Sequence, residues 1–112
     1  MRISFRSTRL ENDCNDSTRL VRRYGPEQAR LIRRRLDELE AAPNLAEMRN
    51  LPQARCHELA HDRKGQLAVD LRHPKRLVFE PGHDPVPRKP DGGVDWNQIT
   101  AIRVLEIVDY HD

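Results

Sequence analysis

The sequence predicts an α+β fold in which an N-terminal strand and a helical pair pack on one face of a twisted antiparallel sheet. Three observations carry this. Ile3 and Phe5 alternate with Arg2, Ser4 and Arg6, the period of a half-buried strand. Ala29, Ile32, Leu36 and Leu39 recur at spacings of three and four, the stripe of an amphipathic helix. Period two then returns in Leu67, Val69 and Leu71 and again in Leu77 and Phe79. Strand, helices, then a run of strands is the order of a layer in which helices cover one sheet face.

Each element has a local reason. Residues 7–24 read as a broken helix, with Ser7 as cap and an interruption across Asn12-Asp13 to Asn15-Asp16. Gly25-Pro26-Glu27 offers a chain reversal with proline at the first helical position, opening a helix that ends near Ala42-Pro43. Asn44 to Met48 can add one short turn. A strand at about Arg55 to Leu59 joins the 67–71 strand through the turn Asp62-Arg63-Lys64-Gly65, and His73-Pro74-Lys75 connects that strand to the one around Leu77. Four of the eight prolines lie between Pro81 and Pro90, followed by Asp91-Gly92-Gly93, which predicts a long irregular loop pinned at its far end by Trp96. Residues 101–108 are apolar on both faces, as in a strand interior to a sheet.

The composition narrows the classes. The chain has 112 residues, 37% hydrophobic and 34% charged, enough for one domain spanning 1–112. Charges interrupt every apolar run well short of the roughly 18 residues of a membrane span. The first six residues lack the apolar core of a secretion signal, so a cytoplasmic location is expected. Cys14 and Cys56 lack metal-ligand spacing and read as reduced, buried, small hydrophobes. Net charge is only +2, yet seven arginines fall between Arg19 and Arg35 with Glu27 as the one acid among them. Such a run either meets phosphates or an acidic partner, or forms a solvated helix face.

Two histidine constellations compete. His57-Glu58-Leu59-Ala60-His61 spells H-E-x-x-H, the helical zinc motif in which two histidines bind metal beside a general-base glutamate. Its context argues against that use. Pro52 lies just upstream, the Asp62–Gly65 turn ends any helix, Glu80 as third ligand falls in a strand, and Lys64 stands where the longer motif has glycine. The other set is His57, Arg63, Lys64, Arg76, Asp109, Tyr110 and His111, on or beside the proposed sheet. If Leu67, Val69, Leu71, Leu77 and Phe79 face the helices, the same alternation turns Asp70, Arg72 and Arg76 to the open face. A basic open face suits metal-free RNA cleavage, which requires a base for the 2′-hydroxyl, a cation for the phosphorane and an acid for the leaving 5′-oxygen. Arg72 is then a candidate RNA contact.

Cys56-His57-Glu58-Leu59, the Asp62-Arg63-Lys64-Gly65 turn, Arg76-Leu77-Val78-Phe79-Glu80 and Glu106-Ile107-Val108-Asp109-Tyr110-His111 together resemble the HigB branch of the RelE/ParE toxin superfamily. The resemblance runs from Ile3 to His111. It implies a ribosome-dependent endoribonuclease that cuts messenger RNA in the small-subunit decoding site without metal or cofactor. It also implies a helix-turn-helix antitoxin of the HigA type as partner, in a hetero-oligomer. Residue by residue, it places His57, Asp109, Tyr110 and His111 in the catalytic cluster, Arg76 on the scissile phosphate, and Arg63 and Lys64 near RNA. Ala60-His61 departs from the lysine–glycine pair usual before the turn, and the 81–100 segment is longer than in the shortest members. The competing functions are a toxin-fold binding protein with little catalysis, a DNA gyrase poison, and a zinc hydrolase.

Overall fold

A computed structural model describes residues 1–110 of the chain. Strand β1 (Arg2–Phe5) leads into helices α1 (Thr8–Cys14), α2 (Ser17–Tyr24) and α3 (Pro26–Ala41). The Ser7 hydroxyl caps α1 by accepting from the Leu10 amide at 3.1 Å. The helix stops where the sequence predicts a break, and Asp16 restarts it by accepting from the amides of Thr18 and Arg19. Gly25, at φ 84°, ends α2 and begins α3, a conformation that would strain a side-chain-bearing residue. Pro26 occupies the first position of α3, as expected. A short 3-10 turn, Leu45–Asn50, follows under an Asn44 cap.

The remaining strands are β2 (His57–Glu58), β3 (Leu67–Asp70), β4 (Lys75–Pro81) and β5 (Ala101–Asp109), and the sheet order is β1-β5-β4-β3-β2. Three pairings are antiparallel, but β1 runs parallel to β5, so the sheet is mixed rather than antiparallel throughout. The three helices between β1 and β2 carry the chain back across the sheet and make the parallel pairing possible. The strand expected at 55–59 is two residues long, because Arg55 adopts a left-handed φ of 43° just before it.

Leu20, Ile32, Leu36, Leu39 and Met48 meet Leu67, Val69, Leu77, Phe79, Ile102 and Val104 in the main core, the packing the alternation predicts. Each fully buried aliphatic or aromatic side chain there contributes about 1.5–3 kcal/mol. Between β4 and β5 the register slips at Val78/Phe79, leaving Leu105 without an opposite residue. Leu105 joins Ala68 and Val78 in a small second cluster.

In the 81–100 loop, Gly82 approaches Ala101 so closely that a Cβ would lie 3.2 Å from its carbonyl carbon. Trp96 pins the far end, as expected: its indole N–H donates to Glu58 at 3.1 Å and the Arg49 guanidinium stacks 4.0 Å from a ring centroid. Cys14 is buried and Cys56 partly so, both as free thiols. Among the described residues, no helix is long and apolar enough to cross a membrane.

Candidate active site

Register places the open face residue by residue. Directly opposed residues of antiparallel strands share a face. His57 lies opposite Ala68 and Ala68 opposite Val78, while Asp70 lies opposite Arg76 and Arg76 opposite Val108. The open face therefore carries His57 in one row with the small apolar residues Ala68 and Val78, and Asp70 and Arg76 in the adjacent row toward the end of the face. Tyr110 follows β5, its amide fixed by a 2.7 Å bond to the Pro74 carbonyl. Its phenol lies against Asp70 and its ring faces Arg76, the guanidinium carbon 4.8 Å from the centroid.

Arg55 joins these residues. Its Nε and one terminal nitrogen fork onto Asp70 at 2.8 and 3.1 Å, and it also donates to the Tyr110 hydroxyl at 2.6 Å. The Tyr110 hydroxyl in turn donates to Asp70 through a short hydrogen bond. The backbone carbonyl of the same Arg55 lies 2.7 Å from His57 Nδ1. A carbonyl only accepts, so Nδ1 carries the proton, and in the neutral ring Nε2 is left with the free electron pair.

Arg76 is 7% exposed, and its Nε is buried without a hydrogen-bond partner among the described residues. Buried guanidinium donors are normally satisfied. Arg76 makes no ion pair among the described residues, so its charge is uncompensated there, and the exposed fringe of the guanidinium is where an anionic oxygen would meet it. The network also sets proton positions. Burial tends to raise the Asp70 carboxyl, but hydrogen bonds from Arg55 and Tyr110, with the Arg55 and His57 charges, overcome it and hold the group below its ordinary value. Burial, then the bond to Asp70 and its charge, pushes the Tyr110 phenol up, so it stays protonated and acts as a donor.

The other expected residues divide. Asp109 stands opposite Lys75, off the face that carries Arg76, and accepts from its ammonium at 2.7 Å. Arg63 folds back onto Gln66 and Glu106 at 2.9 and 3.3 Å, whereas Lys64 is exposed. Arg72 is a correction. β3 ends at Asp70, so alternation no longer governs position 72, and its side chain pairs with Glu27 while its backbone is clamped by Gln28. It belongs to the α3 side. His111 lies outside the described residues. The zinc reading loses its scaffold: His57 and Glu58 alternate across a strand, Glu58 reaches Trp96, and His61 sits in a separate 3-10 turn at φ 58°.

Sequence reasoning gave Arg55 no role. Its role comes from a left-handed backbone at φ 43° and a fork onto Asp70, and alternation carries no trace of either.

No protein-family model and no curated protein matches the sequence. Solved structures do match the fold. The YoeB–YefM complex from Staphylococcus aureus aligns over 100% of this chain and 98% of its own, with TM-score 0.54 and 13% identity. A YoeB/ParE toxin from Agrobacterium tumefaciens aligns over 99% and 100%, with TM-score 0.52 and 11% identity. The chain thus shares the α+β fold of these two solved structures, helices packed on a five-stranded sheet.

Proposed function

We propose that this toxin fold serves a type II toxin–antitoxin pair and that the chain cleaves messenger RNA on the ribosome, as the resemblance to the HigB branch implies. One observation supports the reading: the largely buried guanidinium of Arg76 faces the Tyr110 ring, and Tyr110 is linked through Asp70 and Arg55 to His57.

The residues divide the work by their chemistry. Nε2 of His57 takes the proton of a ribose 2′-hydroxyl, whose oxygen attacks the adjacent phosphorus. Arg76 neutralises the charge that grows on the phosphorane oxygens, preorganised by the Tyr110 ring. The P–O5′ bond breaks, giving a 2′,3′-cyclic phosphate and a 5′-hydroxyl. His111, next to Tyr110 in sequence, is assigned the proton donation to the leaving oxygen, and Asp109 the support of that terminal segment through Lys75. Arg63 and Lys64 would lie along the RNA. No step calls on a metal or cofactor.

The partner would be a helix-turn-helix antitoxin of the HigA type. A groove of about 710 Å³ between α2 and α3 is floored by Leu20, Val21 and Ala29 and rimmed by Arg30, Arg33 and Arg34, with Asp37 and Glu38 also in its lining. An amphipathic antitoxin segment with acidic flanks fits that surface. Yeast or bacterial cells induced for the chain should accumulate messages with new 5′-hydroxyl ends, and co-expression of the antitoxin should suppress them. Intact messages with normal growth would overturn the reading. Tight antitoxin binding without new RNA ends would leave a binding protein instead.

A further inference from the structure

The helical corner beside the α2–α3 groove carries a second concentration of charge. Arg9 and Asp13 lie one turn apart on α1 and face Arg19, Arg22 and Arg23 of α2 across a cleft of about 460 Å³. Asp13 holds two of these guanidiniums, Arg19 at 3.6 Å and Arg23 at 3.2 Å, one on each carboxylate oxygen. Arg9 and Arg22 make no ion pair among the described residues, and both are exposed. Every side chain lining this cleft is charged, four cations against one carboxylate, with Asp16 at its edge 3.7 Å from Arg19, so the balance favours an anionic occupant. No aliphatic or aromatic residue lines it, unlike the neighbouring α2–α3 groove with Leu20, Val21 and Ala29.

The cleft is not isolated. A second concavity of about 260 Å³ shares Arg9, Asp13 and Arg23 with it, adds Arg6, and runs to Leu105, Glu106 and Ile107 of β5. There β5 has already passed the end of β1, whose last partner is Val104, and Glu106 meets Arg63 of the sheet-side turn. A line of guanidiniums thus leads from the helices past the uncovered edge of β5 to the open face.

We infer that the α1–α2 arginine cleft is a second RNA site that grips the phosphodiester backbone without reading bases, and anchors the strand whose scissile linkage lies at the open face. Its continuity with that face rests on the reading under Proposed function; its affinity for RNA does not. Guanidinium forks match phosphate oxygens, and such contacts position a nucleic acid without specifying sequence. Asp13 sets the spacing of Arg19 and Arg23, and Asp13 and Asp16 offset part of the cationic charge.

The test is fluorescence anisotropy with a short, labelled, fully 2′-O-methylated RNA, which binds but cannot be cut. R9Q/R22Q should weaken binding about tenfold at low salt and flatten the slope of log affinity against log salt by about 1.4, at about 0.7 per lost phosphate contact. D13N should tighten binding, the opposite direction, which separates charge from misfolding. R30Q/R34Q, in the α2–α3 groove, should stay within about twofold of the parent chain. Unchanged affinity and slope in R9Q/R22Q would overturn the site, as would a loss confined to antitoxin binding, which would assign the cleft to a protein. Arginine-dependent RNA binding in a chain that makes no cuts in cells would leave the anchor standing while the cleavage reading falls.

Discussion

The guanidinium of Arg55 donates to the phenol oxygen of Tyr110 at 2.6 Å across fifty-five residues of sequence, and both groups bond to the same Asp70 carboxylate. The segment before β2 and the segment after β5 are thereby tied over the intervening strands. Because the three side chains share partners, their losses should not add. In a double-mutant cycle, R55A and Y110F are expected to show a coupling energy of about 1 kcal/mol in urea unfolding. A coupling of zero would mean that solvent already screens the half-exposed Arg55 from its partners.

The same network fixes a pH dependence at both ends. The Asp70 carboxyl is depressed in the fold, so the stability it contributes is present above its unfolded value of about 4 and is lost as pH falls through the lower folded value. The Tyr110 phenol is raised, so its contribution is present below about 10 and is lost as pH climbs through the folded value. Melting curves should therefore show D70N converging on the parent chain only in acid, and Y110F converging on it only in alkali. Parallel curves from pH 2 to 11 would contradict the network.

At the reacting centre, H57A and R76A should each lower the rate of message cleavage on programmed ribosomes by about 10²–10³-fold, the cost of removing a transition-state donor or base. R76K is the sharper variant. A lysine keeps the charge but has no planar fork to stack on Tyr110 and reach an oxygen from a buried position, so most of the loss should persist. Recovery of full activity in R76K would reduce Arg76 to a point charge.

The layer order was legible because apolar periodicity is a strong signal: the α3 stripe and the two alternating runs land in the main core as read. Breaks marked by Ser7, Asp16, Gly25 and Pro43 also lie where capping chemistry puts them. The parallel β1–β5 pairing was not legible, since a strand's sequence says nothing of its partner's direction. Alternation placed Asp70 and Arg76 on one face but failed at Arg72, where the strand had ended and Gln28 and Glu27 of α3 took over. Arg55 was missed because its role comes from a left-handed backbone and a partner fifteen residues on, neither of which leaves a periodic trace.

Cys56 adjoins His57 in sequence, which on paper suggests a thiol–imidazole nucleophile. Burial argues otherwise, pushing the Cys56 thiol up to about 12 and Cys14 to about 11. Both remain protonated and weakly reactive near neutrality. Iodoacetamide at pH 8 should leave the folded chain unlabelled over hours by mass spectrometry and add two groups once urea is present. Rapid labelling of the folded chain at Cys56 would reopen a thiolate role.

Arg35 is the structural counterpart of Arg76: a buried guanidinium, 4% exposed, but one whose donors are used. It bonds the carbonyl of Asp70 at 2.8 Å, the carbonyl of Gln53 at 3.0 Å and the carboxylate of Glu38 at 2.9 Å. One side chain of α3 thus holds the end of β3 and the turn that leads to Arg55, both backbones of the candidate site. R35M keeps the aliphatic stem and removes the fork, leaving two carbonyls and a carboxylate without their donor. The expected cost is about 3–5 kcal/mol, as for other broken buried ion pairs. In urea it should appear as a lower midpoint at unchanged slope, whereas R30M, on the exposed side of the same helix, should stay within about 0.5 kcal/mol. Equal midpoints for R35M and R30M would show that α3 is held to the sheet by its apolar stripe alone.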